Sequence, residues 1–453
     1  MENAKQKSTS SVLMLPWLAH GHISPFLELA KKLTLRNFHI YLCSSPVNLN
    51  SFKPKLSQHP NNHYSNSIEL VELHLPTLPE LPPHCHTTKG LPPHLMPTLV
   101  KAFDMTRSNF SNIVETLKPD LIIYDFIPSW LPDVASSLNT PNIVFITSGA
   151  STLSVAYNFI KNTLDEFPFS ELCLDSTIKR FIQMRDSKSN SIKDDDGSKA
   201  HEFCERSCEI ILIRSFSELE GKYMDHLSVI FGKKIVPVGP LIPHYVHNND
   251  EGIDIINWLD KKEKASTVFV SFGSEYYLSN EDMEEIAHGL ELSNLNFIWV
   301  IRFPVGVNLK LEEALPDGFL ERVRERGMIV EDWAPQVKIL DHSSIGGFVS
   351  HCGWGSYMES LIFGVPIIAI PMQFDQPINA KLAEMRGVGI EVKRNNNERL
   401  ERDNVAKVIK QVMVENIGVD IRRRSKEMSE NLKRKGDVEI DGAVKELLQL
   451  CGM

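Results

Sequence analysis

The chain has 453 residues, of which 42% are hydrophobic and 23% are charged. This composition is typical of a globular protein with ordinary cores, and it excludes a disordered, collagen-like or disulfide-framework chain. Lys and Arg number 48 against 58 Asp and Glu, a net charge of −10, which makes nucleic acid and anionic membranes poor partners. An anionic ligand must therefore be bound by groups close to it, because the electrostatic field of the whole protein does not attract it.

Cysteine usage and the N-terminal segment bear on the location of the protein. The seven cysteines are odd in number and form no CxxC pair, which suits a reducing compartment. The first apolar stretch, Val12–Leu18, is too short for a signal-peptide core, and no segment approaches the roughly 20 apolar residues that span a bilayer. We expect a cytoplasmic protein without a transmembrane segment, and a monomer.

Short apolar runs rich in β-branched residues alternate with longer helical patterns along the chain. This alternation predicts an α/β fold with parallel sheets built from βαβ units. In the first half the predicted strands are Val12–Trp17, His39–Ser44, Ile68–Leu75, Leu121–Asp125, Ile143–Thr147, Ile210–Arg214 and Lys234–Val238. In the second half they are Thr267–Phe272, Phe297–Arg302, Met328–Asp332, Gly347–Ser350, Pro366–Ile370 and Gly389–Val392.

The two halves are predicted to be similar doubly wound, Rossmann-like domains. A polar linker at 244–252 separates a first domain, 1–243, from a second, 253–435, and a terminal segment, 436–453, follows. A second polar stretch, Ser187–Ala200, is predicted to be a mobile loop. Doubly wound sheets bind ligands beyond the carboxyl ends of their strands, and a 3-2-1-4-5 order makes strands one and four neighbours. Paired functional residues are therefore expected at those strand ends in each half.

In the first half, these two strand ends carry His22 and Asp125. A helix is predicted to begin at about Ile23, where apolar residues start to recur at helical spacing, so Gly21 is expected to form the turn before it. A neutral imidazole beside a carboxylate acts as a general base on an alcohol. Two alternatives stay open here: His22 caps the helix and Asp125 is unrelated to it, or His20 is the base.

In the second half, the glycine-rich strand ends predict a diphosphate site. The first strand runs into Gly273-Ser274, and the fourth runs into His351-Cys352-Gly353-Trp354-Gly355-Ser356, where a helix begins at about Ser356. Glycines at such a turn let backbone N–H groups approach an anion, and a helix N-terminus favours negative charge. The alternative is a tight turn that serves packing alone, since neither a Walker lysine nor a dinucleotide fingerprint is present.

Further polar and aromatic side chains follow other strands of the second half. The indole of Trp333 is suited to stacking on a planar base whose edge Gln336 would read, and Glu359 suits the two hydroxyls of a ribose. A carboxylate and an amide at Asp375-Gln376 suit sugar hydroxyls. Each has a structural alternative, as a core Trp, a surface Glu or a turn Asp, but their shared position at strand ends favours one ligand site.

Residues 333–376 resemble the 44-residue signature box of plant family 1 glycosyltransferases, the enzymes that use UDP-sugars. The segment begins Trp-Ala-Pro-Gln, contains His-Cys-Gly-Trp and ends Asp-Gln. The resemblance extends along the chain through Gly21-His22, Asp125, Val238–Leu241 and Ser271–Ser274. It implies a GT-B fold with an acceptor domain facing a donor domain, and a helix within 436–453 that packs back on the first domain.

The resemblance implies a role for each matching residue. His22 is the implied general base and Asp125 its partner. Uracil would stack on Trp333, the ribose would bind Glu359, the diphosphate would bind His351, and the transferred sugar would bind Asp375. The complete implied donor set is Gly273, Ser274, Trp333, Ala334, Gln336, His351, Gly353, Trp354, Gly355, Ser356, Glu359, Asp375 and Gln376. The implied reaction is one inverting displacement, without a metal, in which the acceptor hydroxyl attacks the anomeric carbon and UDP leaves.

The chain departs from the family at Gly355, where Asn is usual. The change removes an amide donor expected at a phosphate but keeps the backbone N–H, so weaker donor binding or slower turnover is predicted, not inactivity. Gln376 resembles the glucose-preferring members, and no Arg lies in Gly21–Pro25 or Met372–Gln376 to bind a uronate. UDP-glucose is the predicted donor, as a co-substrate and not as a tightly bound cofactor.

The predicted acceptor is a glycoside. Residues 22–31 and 271–276 resemble the subgroup that adds a sugar to a sugar on triterpene, flavonoid, lignan or apocarotenoid glycosides; transfer to a bare aglycone is the alternative. Acceptor contacts are expected at Gly21, Ser148, His84 and His94, the last two where the family builds its acceptor loops. The His/Cys cluster in that segment has no tetrahedral ligand spacing, so no metal site is predicted.

Other functions fit the sequence less well. A serine hydrolase lacks its G-x-S-x-G elbow, and a nicotinamide dehydrogenase lacks its glycine fingerprint. The sequence Asp194-Asp195-Asp196 contains the Asp-x-Asp motif of metal-dependent sugar transferases, but no predicted strand precedes it as that motif requires. A UDP-sugar epimerase would not need the signature box. A donor-binding pseudoenzyme is suggested by Gly355 and opposed by the retained His22 and Asp125.

Overall fold

The computed structural model describes residues 9–57, 67–172, 202–243, 251–304 and 309–452. By their contacts these residues form two compact units. The first contains a seven-stranded sheet and the C-terminal helix, and the second contains a six-stranded sheet. Most of the predicted linker, residues 244–250, and the predicted loop Ser187–Ala200, with its three Asp, lie outside the described residues.

The first unit is built on a parallel sheet with the order β3-β2-β1-β4-β5-β6-β7. Its strands are β1 Ser10–Leu15, β2 Phe38–Ser44, β3 Ile68–Glu72, β4 Leu121–Tyr124, β5 Asn142–Ile146, β6 Ile210–Ile213 and β7 Lys234–Pro237. The central strand β4 is buried on both faces, as expected where helices cover both sides of a parallel sheet. The predicted strands of this half are confirmed, with ends shifted by a few residues, and so is the 3-2-1-4-5 order.

Helices and short turns cover the two faces of this sheet. The helices are α1 His20–Thr34, α2 Pro46–Ser57, α3 Met96–Asp104, α4 Arg107–Leu117, α5 Leu131–Ser137, α6 Ala150–Ile160, α7 Glu202–Arg206 and α8 Ser217–Phe231. Short 3-10 turns occur at Pro83–Cys85, Pro93–Leu95 and Leu164–Glu166.

Helix α1 begins earlier than the sequence indicates. It starts at His20 and not near Ile23, so the predicted glycine turn is wrong: Gly21 lies in the first helical turn, between His20 and His22. The sequence gives little signal for this start, since the N-cap residue Ala19 has no side chain that caps the helix. The predicted apolar face is correct, because Ile23, Phe26, Leu27, Ala30 and Leu33 are all buried in the core of the unit.

The second unit repeats the architecture with the order β10-β9-β8-β11-β12-β13. Its parallel strands are β8 Thr267–Ser271, β9 Asn296–Ile301, β10 Gly327–Glu331, β11 Ile345–Ser350, β12 Ile367–Ala369 and β13 Gly389–Glu391. Its helices are α9 Ile253–Leu259, α10 Asn280–Ser293, α11 Leu311–Ala314, α12 Phe319–Val323, α13 Gln336–Asp341, α14 Trp354–Phe363, α15 Gln376–Arg386, α16 Arg402–Met413 and α17 Asn416–Lys435. Helix α14 starts two residues before its predicted start and ends, as predicted, at Gly364, whose φ is 67°.

The last helix, α18 (Val438–Leu450), belongs to the first unit. Its residues Ile440, Ala443 and Leu447 are buried in the same core as the strands of the seven-stranded sheet. At its N-terminal end, Asp437 pairs with Lys32 of α1 at 2.7 Å and with Arg36, just after α1, at 3.1 Å. No helix in the described ranges is long and apolar enough to cross a membrane.

Candidate active site

Strands β1 and β4 are neighbours, with Leu15 paired to Tyr124, so the chain beyond each strand reaches the same edge of the first sheet. Asp125 follows β4 directly and is completely buried. Its Oδ2 atom lies 2.7 Å from Nδ1 of His22 and accepts the backbone N–H of Trp17 at 3.2 Å. The other oxygen accepts the N–H of Phe126 at 2.8 Å, so the carboxylate is fixed by backbone donors and faces the imidazole.

His22 is held by this carboxylate and remains accessible from outside. Its side chain is 24% exposed, and its ring packs against that of Phe126, with centroids 5.7 Å apart. The hydroxyl oxygen of Thr147, just after β5, lies 3.3 Å from the same Nδ1 atom. Because the carboxylate is a pure acceptor, it selects the tautomer with the proton on Nδ1, which leaves the lone pair on Nε2. This is the arrangement that a general base requires.

His20, the alternative base, lies in a different environment. Its ring packs against Phe52 with centroids 5.0 Å apart, and its Nε2 atom lies 3.5 Å from the hydroxyl of Ser51. Both of these neighbours are uncharged, whereas His22 faces a carboxylate that stabilises an imidazolium. The pairing with Asp125 therefore favours His22 as the base.

The segment that carries the predicted acceptor histidines is anchored at the same edge of the sheet. The carbonyl of Leu18, after β1, accepts the N–H of Thr88 at 3.0 Å, and the hydroxyl of Ser45, after β2, donates to the carbonyl of His86 at 2.7 Å. His84 and His94 are exposed in their 3-10 turns, whereas His86 is buried and desolvation lowers the pKa of its ring. In the described part of the chain no group of His, Cys, Asp or Glu is placed to hold a metal ion.

Ser148, also predicted at the acceptor site, is partly exposed between β5 and α6. This connection is fixed by Glu220, a residue that the sequence interpretation missed. Glu220 is completely buried in α8 and accepts the N–H groups of Ala150 and Ser151, both at 2.8 Å, at the start of α6. The Ser215 hydroxyl donates to the same carboxylate at 2.7 Å. Burial raises the pKa of Glu220, and these donors oppose that shift. Its partners on α6 lie about 70 residues away along the chain, which is why no local pattern reveals the link between the two helices.

In the second unit, β8 and β11 are neighbours, and the chain beyond their ends brings Gly273 and Gly353 close to the His351 ring. A Cβ atom added at Gly273 would lie 2.7 Å from Nε2 of His351, and one added at Gly353 would lie 2.6 Å from it. Gly273 also has a φ of 76°. Desolvation lowers the pKa of His351 to about 4, so the ring is neutral at pH 7 and offers a hydrogen bond and not a charge.

The turn between His351 and helix α14 depends on an unusual backbone conformation. Cys352 is buried and has a φ of 62°, a left-handed value that is rare outside glycine. Gly353 is the N-cap of α14, whose first residues are Trp354, Gly355 and Ser356. The Trp354 indole is buried against Tyr357, with ring centroids 5.4 Å apart.

Predicted donor residues from α13 and α14 meet beside this helix N-terminus. The side-chain amide of Gln336 donates to the hydroxyl of Ser356 at 3.1 Å and to the carboxylate of Glu359 at 2.6 Å. Three predicted donor residues from two helices are thus brought together. Trp333, just after β10, is 58% exposed, and Ala334 beside it is buried. An exposed indole suits stacking on a planar base, and a carboxylate held by an amide suits the hydroxyls of a ribose.

Asp375 and Gln376 lie at the start of α15, after β12. The Gln376 side chain is buried, and its oxygen accepts the N–H groups of Met372 and Gln373, both at 2.8 Å, which fixes the loop before the helix. One carboxylate oxygen of Asp375 accepts the side-chain amide of Asn379 at 2.8 Å. Ser274, the remaining predicted donor residue, is exposed after Gly273. The contacts of Asp375 and Gln376 with a sugar, and of Ser274 with a diphosphate, stay predictions.

Comparisons with known proteins agree with this geometry. Residues 8–243 match the family described as "Glycosyltransferase, N-terminal domain", and residues 201–420 match "UDP-glucoronosyl and UDP-glucosyl transferase". The chain is 55% identical to mogroside IIIx synthase from Siraitia grosvenorii, over 99% of this chain and 94% of that protein. It is 46% identical to beta-D-glucosyl crocetin beta-1,6-glucosyltransferase from Gardenia jasminoides, over 96% of this chain and 98% of that protein. It is 44% identical to flavanone 7-O-glucoside 2''-O-beta-L-rhamnosyltransferase from Citrus maxima, over 99% of each.

The fold is also found among solved structures. A Glycyrrhiza uralensis protein complexed with glycyrrhetinic acid 3-O-monoglucuronide matches with a TM-score of 0.82 at 25% identity, over 98% of this chain and 96% of that one. Two doubly wound units with these strand-end sites define a nucleotide-sugar transferase of the GT-B class. The chain belongs to plant family 1 of the UDP-glycosyltransferases, which confirms the resemblance of its signature box.

Proposed function

We propose that this protein is an inverting, UDP-glucose-dependent enzyme that adds a β-glucosyl unit to a sugar hydroxyl of a plant natural-product glycoside. The observation that carries the proposal is the contact between His22 and the buried carboxylate of Asp125 at 2.7 Å, which supplies a base for an alcohol. The names of two relatives, one from Gardenia jasminoides and one from Citrus maxima, describe acceptors that already carry glucose. Because their sequence similarity to this chain extends over nearly its whole length, they favour a glycoside over a bare aglycone as the acceptor.

In the proposed reaction, Nε2 of His22 removes the proton from the acceptor hydroxyl as its oxygen attacks the anomeric carbon of the donor sugar. The bond from that carbon to the diphosphate oxygen breaks, UDP leaves, and the configuration inverts from α to β. Asp125 stabilises the imidazolium that forms and keeps the ring in its reactive tautomer. Gly21 and Ser148, with His84 and His94, are the proposed acceptor contacts.

The proposed donor site follows the edge of the second sheet. Uracil stacks on the exposed Trp333 beside Ala334, and the ribose hydroxyls bind Glu359, which Gln336 orients. The diphosphate binds the neutral ring of His351 and the start of α14, where the backbone N–H groups and the hydroxyl of Ser356 donate. The remaining proposed contacts are those of Gly273, Ser274, Gly353 and Gly355 with the diphosphate and of Trp354, Asp375 and Gln376 with the sugar.

Glucose is the proposed sugar, although relatives with other donors exist. The names of the relatives include a glucosyltransferase and a rhamnosyltransferase, so the family relationship alone does not choose the sugar. Gln376 favours glucose by its resemblance to the glucose-preferring members. The loop from Met372 to Gln376 contains no Arg or Lys that would bind the carboxylate of a uronic acid.

The test is an incubation of the purified protein with UDP-glucose in excess chelator, with a panel of plant aglycones and their monoglucosides, read by mass. We expect the gain of one hexose on monoglucosides. Gain on aglycones alone would overturn the sugar-to-sugar proposal and keep the transferase. UDP-rhamnose, UDP-galactose, UDP-xylose and UDP-glucuronate are offered in parallel, and transfer from one of these alone would overturn the choice of glucose.

A matched variant separates binding from chemistry. Replacement of His22 by Ala removes the base on the first unit and leaves the donor residues of the second unit unchanged. We expect UDP to bind the His22→Ala protein as tightly as the wild type while transfer is lost. UDP binding without transfer by the wild type, with every donor and acceptor, would favour a pseudoenzyme.

A further inference from the structure

We infer that Asn379 is a positioning residue of the donor site, because its one amide group connects the turn proposed to bind the diphosphate with the carboxylate proposed to bind the transferred sugar. This inference rests on the proposed function of the second unit. Asn379 lies outside the signature box, and neither the box nor its spacing predicts a role for it.

The geometry of this side chain is specific. Nδ2 of Asn379 donates to the backbone carbonyl of Cys352 at 2.9 Å and to Oδ2 of Asp375 at 2.8 Å. The residue is completely buried on α15, one helical turn after Asp375. An amide nitrogen carries two protons, so these two acceptors use both of them. Glutamine carries the same amide group on a longer side chain, and the nitrogen donors of Lys and Arg are charged. Asn is therefore the residue that fits this position closely.

The first partner is the residue on which the diphosphate turn depends. A left-handed conformation at a non-glycine residue such as Cys352 costs about 1–2 kcal/mol and persists only where its surroundings hold it. Side chains hold both of its peptide groups: the Ser350 hydroxyl accepts the Cys352 N–H at 3.1 Å, and Asn379 donates to the Cys352 carbonyl. Gly353, the next residue, is the N-cap of α14. A rotation at Cys352 would therefore redirect the helix N-terminus that faces the diphosphate.

The second partner is the proposed sugar ligand. The bond from Asn379 fixes the torsion of the Asp375 carboxylate by holding one of its oxygens. Asp375 and Cys352 lie 23 residues apart in sequence, and the side chain of Asn379 contacts both. An in-line displacement depends on how the sugar is oriented relative to the diphosphate bond that breaks, since a misplacement of the reacting atoms by about 1 Å costs on the order of 100-fold in rate.

The test compares Asn379→Asp with Asn379→Ser. Aspartate keeps the size, removes both donors and brings a second carboxylate against Asp375, whereas serine keeps one donor on a shorter side chain. Active sites are counted by calorimetry with UDP, and the turnover number is expressed per UDP-binding site. We expect a fall of at least about tenfold in that number for the aspartate variant and a smaller fall for serine, with the acceptor KM within about twofold of wild type.

A purely structural role gives a different result. Loss of folded protein alone lowers the number of UDP-binding sites and the melting temperature but leaves turnover per site unchanged, and that outcome would overturn the inference. Should the aspartate variant fail to fold, the serine variant decides by the same criterion. The matched control is Asn296→Ala. This change removes weak contacts with Ser266 at the amino ends of β8 and β9, far from the carboxyl ends that carry the donor residues, and it should leave turnover per site unchanged.

The proposed function and this inference fail separately. A wild-type protein that binds UDP but transfers no sugar would contradict the proposed function. The inference is then decided by UDP affinity alone, because the turn at Cys352 serves the diphosphate even without a sugar. An increase of at least about threefold in the UDP dissociation constant of the aspartate variant would support it, and an unchanged constant would overturn it.

Discussion

The Nδ1 atom of His22 has two neighbours: the carboxylate of Asp125, which follows β4, and the hydroxyl of Thr147, which follows β5. The carboxylate is completely buried, yet two of its contacts are backbone N–H groups that no side-chain substitution removes. Its position is therefore a property of the fold, and the imidazole is oriented by it. The adjacent hydroxyl is a weaker neighbour because it lies 3.3 Å away and carries no charge.

Replacement of Asp125 by Asn should inactivate the base without displacing it. The amide nitrogen would donate to Nδ1, which moves the ring proton to Nε2 and removes the lone pair that accepts the acceptor's proton. We expect kcat to fall by about 100-fold or more. Because this change is confined to the first unit, the UDP dissociation constant should stay within about twofold, since no donor ligand is removed. Steady-state kinetics and calorimetry measure both, and a variant with unchanged kcat would contradict the dyad.

Gly355 is the position at which a gain of function is expected. It is the second residue of α14, where Asn would extend a side-chain amide beside the proposed diphosphate. We expect Gly355→Asn to lower the UDP dissociation constant by about tenfold, as for a hydrogen bond to a charged group. The matched control is Gly355→Ala, which shares the gain in helix propensity but adds no donor. Tighter binding in both variants, or in neither, would contradict a role for the missing amide.

Much of the fold was predictable because it depends on local patterns. The buried strands are apolar runs with strand-like length, and the residues that carry the proposed chemistry follow them directly, as Asp125 follows β4 and Trp333 follows β10. The strand order places those ends together once the sheet is doubly wound. The start of α1 was mispredicted because a glycine between two histidines resembles a turn, whereas here Gly21 is helical.

The supporting side chains were not predictable in the same way. Glu220 and Asn379 are each defined by partners on other elements, about 70 and 27 residues away. A buried carboxylate within α8 and an amide within α15 leave no periodic signal, because the distant partners include backbone groups that every residue possesses. Such residues become visible only when the topology brings the loops together.

The two glycines beside His351 allow steric crowding to be separated from backbone strain. A Cβ atom at either Gly273 or Gly353 would approach the ring to less than 3 Å, but only Gly273 has a positive φ. We expect both alanine variants to weaken UDP binding by displacing the ring, with the larger loss of stability, about 1–2 kcal/mol more, in Gly273→Ala. Calorimetry and thermal unfolding measure the two effects, and wild-type UDP affinity in both variants would exclude the ring from the donor site.

The pKa of His351 predicts a pH dependence of stability. The native ring titrates at about 4, against an ordinary value of 6.5, because burial disfavours its charged form. Between these values the unfolded chain binds the extra proton, so stability is complete above about pH 6.5 and is lost as the pH falls toward 4. The loss attributable to this residue is about 3 kcal/mol at most. Denaturant unfolding of His351→Gln over the same range should show a shallower decline, and parallel curves would contradict the lowered pKa.

The C-terminal helix offers the clearest test of packing in the first unit. Leu447 is completely buried in the core that α18 shares with the seven-stranded sheet, whereas Val438 on the same helix is 61% exposed. Truncation of a buried leucine removes its transfer free energy and leaves a cavity, so Leu447→Ala should cost about 2–5 kcal/mol of unfolding free energy. Val438→Ala should change it by less than about 0.5 kcal/mol, because an exposed side chain buries little apolar area. Equal melting temperatures for the two variants would mean that α18 is not docked on this core in solution, since the difference in burial is the only large difference between the two sites.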